Sequence, residues 1–255
     1  MTTHTTDYLL IDISNSYTKF GFASVEKVLK TSRLRTRTLD LEQLREITAG
    51  WKYSMVVLSS VVPDRNALVM EFAAEQGVEV LRISPRLDLG VGIQYPEPEK
   101  IGEDRLANAA GAVARKGAPV VVVDFGTAVT FDIVDKQGNY LGGVIAPGLE
   151  SMTDYLHQRT ALLPKIAIEE PGSIIGKSTE QAMLAGAVHG YRGMVERILQ
   201  EIHRELGEDV PLSVLATGGY AELISRGVEG IEEVDPELTL DGLRVVANRY
   251  GKINV

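Results

Sequence analysis

A chain of 255 residues, 44 % hydrophobic and 24 % charged, has the make-up of ordinary globular material in one large domain or two medium ones. Its 26 basic and 35 acidic residues leave a formal charge of −9, which excludes a general electrostatic grip on nucleic acid or an anionic membrane and leaves any anionic ligand to local donors. The lack of cysteine removes disulfides, thiolate nucleophiles and Cys-based zinc sites together.

In chain order, the polar opening lacks the basic start and apolar stretch of a signal peptide, and no apolar run approaches the ~20 residues that cross a bilayer. A cytoplasmic protein is expected. Residues 9–13 and 19–23 read as strands joined by a turn at Ser14-Asn15-Ser16. Helical spacing over 39–49 and 67–76 brackets a buried strand at 54–62 that Pro63 halts, and a short strand follows at 78–83. The Pro- and Gly-rich stretch 84–102 predicts a long loop, of the kind that usually carries function. An Ala-rich helix over 104–115 ends at Lys116-Gly117-Ala118-Pro119, where a boundary between two halves is expected.

The second half opens on Val120-Val-Val-Val-Asp124, continues in a strand to Val134, turns at Asp135-Lys-Gln-Gly138-Asn139 and returns over 140–145. Helices are expected over 149–156, 179–201, 221–225 and 240–250, with a strand at 212–216 running into Thr217-Gly218-Gly219. The longest of these helices places Met183, Ala187, Tyr191, Met194 and Ile198 on one side. His4, His157, His189 and His203 show no metal-ligand spacing, and Trp51 and the methionines read as core.

Two apolar runs half a chain apart end on the same chemistry, Asp12 followed by Ser14-Asn15-Ser16 and Asp124 followed by Gly126-Thr127-Ala128. Either alone reads as an Asx-turn or helix cap; the pair points to a duplicated α/β fold. The tip at Ser14-Asn15-Ser16 offers amides and hydroxyls suited to phosphate, with Lys19 as the local cation, and Asp12 suits a magnesium ion that keeps most of its waters. Asp104 reads either as a cap at a helix start or as a general base, and the neighbouring Arg105 favours the second by supplying a clamp for a carboxylate.

Six blocks carry a family likeness: Asp12-x-x-Asn15-Ser16-x-x-Lys19, Gly102-Glu-Asp104-Arg105, Asp124-Phe-Gly126-Thr127-Ala128, Gly142-Gly-Val-Ile-Ala-Pro-Gly148, Gly176-Lys-Ser-Thr179 and Ala216-Thr-Gly-Gly219. With Leu238-Thr-Leu-x-Gly-Leu243, their order and spacing resemble type III pantothenate kinase from end to end. The resemblance implies two duplicated ribonuclease H-like (actin-like) lobes, 1–117 and 118–255, each a mixed sheet flanked by helices, with ATP held between them. It implies ATP-dependent phosphorylation of pantothenate by a homodimer needing a divalent metal (Mg²⁺) and a monovalent cation (K⁺ or NH₄⁺), with the active site completed across the interface. Asp104 is then the base, Tyr95, Gly102, Arg105 and Thr179 bind pantothenate, and Asp12, Asn15, Ser16, Lys19, Thr127, Gly218 and Gly219 bind ATP. Asp124 resembles the ligand of the monovalent cation, with Thr130 near it. One departure stands out: the family has Gly where this chain has Ser14, and a left-handed backbone there would cost about 1 kcal/mol or more. Two further readings keep the fold: a kinase of another small hydroxy-carboxylate, and a catalytically weak binding or regulatory relative.

Overall fold

The computed structural model describes residues 4–207 and 209–253. The chain forms two compact units, Met1–Gly117 together with Glu237–Val255, and Ala118–Pro236.

In the first unit, β1 (Tyr8–Ile13), β2 (Tyr17–Ala23), β3 (Val28–Arg35), β4 (Met55–Ser60) and β5 (Glu79–Arg82) form a mixed sheet in the order β3-β2-β1-β4-β5. The β3-β2-β1 pairs are antiparallel, and β1-β4-β5 run parallel. Every residue of β1 is buried, as expected of a central strand covered on both faces, so it reads as an apolar run rather than an alternation. Leu9, Ile11 and Ile13 meet Val69 and Phe72 of α2 (Pro63–Gln76) and Leu44 of α1 (Leu41–Thr48). Pro63, expected as a stop, opens α2 at its first turn, where its missing N–H costs nothing. Trp51 stacks on Phe22 with ring centroids 4.1 Å apart.

The strand β3 has no counterpart in the sequence-based expectation. It is the sheet edge, and only Val28, Ser32 and Leu34 escape full exposure, so charges interrupt any alternation. The loop after β5 is fastened rather than loose. Leu89 and Ile101 are buried, and Asp88 pairs with Arg249 at 2.8 Å, an interaction that holds its carboxyl below the ordinary range.

The second unit repeats the first. Its β6 (Val120–Phe125), β7 (Ala128–Val134), β8 (Asn139–Pro147), β9 (Ser213–Gly218) and β10 (Glu233–Val234) run in the order β8-β7-β6-β9-β10, again with an antiparallel meander and parallel additions. One face packs on α5 (Thr179–Leu206), which follows α4 (Leu149–Arg159). The buried stripe of α5 is Ala185, Val188, Tyr191, Arg192, Val195, Leu199 and Ile202, rotated from the expected one, of which only Tyr191 is fully covered. Arg192 explains the rotation. It is buried, its guanidinium forks onto Glu170 at 2.9 and 2.7 Å, and it donates to the carbonyls of Leu223 and Ile224 at the end of α6 (Ala221–Ser225).

The C-terminal helix α7 (Leu238–Ile253), expected in the second lobe, belongs to the first unit. It packs on α3 (Glu103–Lys116) through paired glycines: a Cβ on Gly242 would collide with the Ala107 carbonyl, and one on Gly111 would lie 2.9 Å from the Leu238 carbonyl. Two helix backbones in such contact tolerate no side chain between them.

Candidate active site

The first acidic tip is a closed and braced hairpin. Asp12, 2 % exposed near the end of β1, stands opposite Lys19 on β2 and Ser59 on β4, so the three share one row and one face of the sheet. Ser59 donates to Asp12 Oδ1 at 3.0 Å and Ser14 to Oδ2 at 3.4 Å. The amide of Ser14 donates to the Tyr17 carbonyl at 3.1 Å, leaving Asn15 and Ser16 exposed at the tip. Thr36, just beyond β3, fastens the tip from the side: its hydroxyl donates to the Ser14 carbonyl at 2.7 Å and its amide to the Ser16 carbonyl at 3.2 Å. No non-glycine residue among those described has positive φ, so Ser14 carries none of the strain that its replacement of Gly suggested.

The second predicted centre lies at the start of α3, in the same unit. Gly102, not Asp104, occupies the cap position, with φ −58 and ψ 137, and Asp104 sits in the first turn with its Oδ1 accepting the Arg105 amide at 2.8 Å. A Cβ on Gly102 would come within 2.5 Å of that same Oδ1. The glycine is therefore the room in which the Asp104 carboxylate stands. Arg105 is half-buried beside it.

What joins the two centres was not singled out from sequence. Glu103 accepts the Ser60 amide at 2.8 Å and Arg82 Nε at 2.7 Å, fixing the helix start to the end of β4. Ser60 follows Ser59, which holds Asp12. Burial pushes the Glu103 carboxyl above its ordinary value, against the lowering effects of Arg82 and the Ser60 amide. The pair Ser59-Ser60 at the end of an apolar strand was the available signal, since ligands of α/β sheets gather at the carboxyl ends of parallel strands. Tyr95, on the long loop, is 38 % exposed.

The second unit presents the same row in other residues. Asp124, half-buried near the end of β6, stands opposite Thr130 on β7 and Thr217 on β9. Gly218, at φ +95, leaves the space next to that carboxylate, since a Cβ there would lie 2.6 Å from Asp124 Oδ1. The Thr217 hydroxyl is fully buried and has no hydrogen-bond partner among the described residues. Gly126 and Thr127 form an exposed tip, whose Thr127 carbonyl accepts the Gly148 amide at 3.1 Å and the Ser151 hydroxyl at 2.9 Å. Gly219 faces open space. Thr179 is the exposed first residue of α5, behind a Ser178 cap that accepts the Gln181 amide at 3.2 Å. Gly176 lies so close to the backbone of Ala182 that no side chain fits.

Thus Asp12, Asn15, Ser16, Lys19, Gly102, Asp104 and Arg105 come from one unit, and Asp124, Thr127, Thr179, Gly218 and Gly219 from the other. No cluster of three or more His, Asp or Glu able to hold a metal occurs among the described residues.

A sequence profile of the type III pantothenate kinase family matches residues 8–201. A type III pantothenate kinase of Akkermansia muciniphila is 53 % identical over 241 residues, covering 94 % of this chain and 98 % of that protein. One from Methylacidiphilum infernorum is 43 % identical over 238 residues, covering 93 % and 87 %. Among solved structures, a ROK family glucokinase of Streptomyces griseus in complex with glucose and AMPPNP aligns with a TM-score of 0.53 and 14 % identity, over 95 % of this chain and 99 % of its own. The fold is that of the actin-like ATPases and sugar kinases.

Proposed function

The chain belongs to the type III pantothenate kinase family, and from that premise we propose how its own residues phosphorylate pantothenate with ATP, the step that opens coenzyme A biosynthesis. The observation that carries the proposal is the serine bridge in the first unit. Ser59 holds Asp12 and the Ser60 amide holds Glu103, so the phosphate tip and the start of α3 are fixed to one strand end. Phosphoryl transfer asks the protein mainly for position and charge, and that is what such a frame supplies.

Asn15, Ser16 and Lys19 hold the donor phosphates, and Thr127 is a hydroxyl donor to phosphate. Asp104 accepts the proton of the terminal hydroxyl as its oxygen forms the new bond to phosphorus and the ADP oxygen leaves. Arg105 clamps the substrate carboxylate, and Tyr95, Gly102 and Thr179 line the acceptor. Gly218 and Gly219 serve the adenosine side.

The residues present fit the expected ions. Asp12 is a single carboxylate within reach of phosphate donors, which suits magnesium held directly or through water, and Asp124 with the buried, unpartnered Thr217 hydroxyl suits K⁺ or NH₄⁺. When bound, magnesium neutralises charge on the transferring phosphoryl group. The assay is ADP release from ATP, Mg²⁺ and K⁺ with and without pantothenate; Asp104→Ala lowers turnover by about 10²–10⁴, and unchanged turnover removes Asp104 from its role.

The working form is a homodimer, to which Thr179 contributes across the interface. Leu162 is 90 % exposed, Ile175 75 %, Ile174 64 % and Tyr155 60 %, more apolar surface than one short segment usually leaves in water. Gly186, Gly190 and Gly193 leave α5 a bare stripe for close helix packing. Light scattering gives a dimer mass for the natural chain and a monomer for Leu162→Asp with Ile175→Asp; a dimer in both places the interface elsewhere. No helix of the described residues is long and apolar enough to cross a membrane, and we place the enzyme in the cytoplasm.

A further inference from the structure

The edge strand β3 brings a basic cluster to the phosphate tip that no part of the proposed reaction uses. Arg33 stands directly opposite Lys19, and Arg35 directly opposite Tyr17. The guanidinium of Arg33 lies 5.1 Å from the centre of the Tyr17 ring and that of Arg35 5.3 Å, so both cations flank the ring that immediately follows the tip. Asp12 faces Lys19 from the inner side of the row, and among the described residues Arg33 and Arg35 enter none of the ion pairs seen elsewhere on the surface, in a chain where acids outnumber bases 35 to 26.

We propose that Arg33, together with Lys19 and with Arg35 steadied on the other contact of Tyr17, forms a cationic clamp on the polyphosphate of the donor nucleotide. The inference rests on the reading of the Ser14–Ser16 tip as the phosphate cradle. Like charges directly opposite on an antiparallel pair destabilise a sheet, and an anion shared between Lys19 and Arg33 reverses that sign. The Arg33 guanidinium leans along the strand toward the tip, because Tyr17 lies one step nearer the tip than its own cross-strand partner, Lys19. Thr36, the residue after Arg35, is bonded to the carbonyls of Ser14 and Ser16, so the cluster and the cradle are held in one frame.

Edge protection is the other use of charge on an outer strand, and Lys30 serves it by exposure alone. It does not require two guanidinium groups gathered on one ring. A guanidinium fork matches a phosphate with two parallel hydrogen bonds, and three cations at one corner suit the multiple charges of a polyphosphate better than the single charge of a carboxylate.

The test measures binding of inorganic tripolyphosphate to the full-length protein by calorimetry, in magnesium-free buffer at low salt, so that turnover does not enter. Arg33→Gln weakens binding about tenfold, Arg33→Lys by less, and the salt dependence of affinity becomes shallower. In the kinase assay Arg33→Gln raises KM for ATP and leaves KM for pantothenate unchanged. Arg33 is exposed at a sheet edge, and an unaltered melting temperature confirms that each variant folds. Tripolyphosphate affinity within twofold of the natural chain for Arg33→Gln, with Lys19→Gln clearly weaker, overturns the clamp and leaves the cradle standing. Affinity unmoved by Lys19→Gln and Asn15→Ala as well overturns both.

Discussion

Asp104 owes its place to the residue two before it. Gly102 has the φ and ψ of extended backbone, which alanine adopts without strain, yet a methyl group there would press within 2.5 Å of the Asp104 carboxylate. Gly102→Ala therefore disturbs chemistry more than folding. The carboxylate must swing from its bond to the Arg105 amide, and turnover falls about tenfold or more while the melting temperature stays within a degree or two. Stopped assays beside a thermal melt check this, and a melt that falls with the activity assigns the glycine to stability instead. Ser14 carries the opposite lesson. The residue that departs from the family pattern sits at negative φ and donates to Asp12, so its hydroxyl joins the acid's hydrogen bonds and its backbone stores no strain.

Elements meet through single polar residues as much as through apolar faces. Glu103 fastens α3 to β4 and β5, accepting the Ser60 amide and Arg82, at the cost of burying a carboxylate. Its pKa in the folded chain lies above the ordinary value, so the native state holds the proton more tightly than the unfolded chain does. The contribution to stability is complete below the ordinary carboxylate pKa and is lost as pH rises through the elevated one. Against Glu103→Gln, which does not titrate, the natural chain loses relative stability as pH rises above the ordinary carboxylate pKa and through the elevated one, as urea titrations at several pH values measure. A difference that stays flat or grows with pH contradicts the burial argument. Arg192 plays the corresponding part in the second unit, where it ties α5 to the end of α6 and to the loop at Glu170, whose carboxyl it holds below the ordinary range.

The molecule as a whole is one strand order used twice, with an acid near the end of the central strand each time and a different pair of neighbours. Lys19 and Ser59 flank Asp12, whereas Thr130 and Thr217 flank Asp124. The duplication is completed by a helix that returns to the first unit, and Gly242→Ala tests its seat: the collision with the Ala107 carbonyl separates α7 from α3 and costs about 3 kcal/mol, read as a lower denaturant midpoint. An unchanged midpoint means the helix is not part of the folded first unit. Much of this was legible in the residues alone, because apolar runs, Pro and Gly punctuation and the chemistry of a turn are carried by neighbours along the chain. The acidic ends of β1 and β6 and the helix start at 179 are all local. Pairing between distant segments was not legible. That Ser59 stands beside Asp12, that Arg33 faces Lys19 from an edge strand with no apolar alternation, that Asp104 fills the space of Gly102, and that α7 belongs with α3 were decided only when strands and helices packed, since each is a contact that backbone hydrogen bonds or steric exclusion impose and that no local pattern encodes.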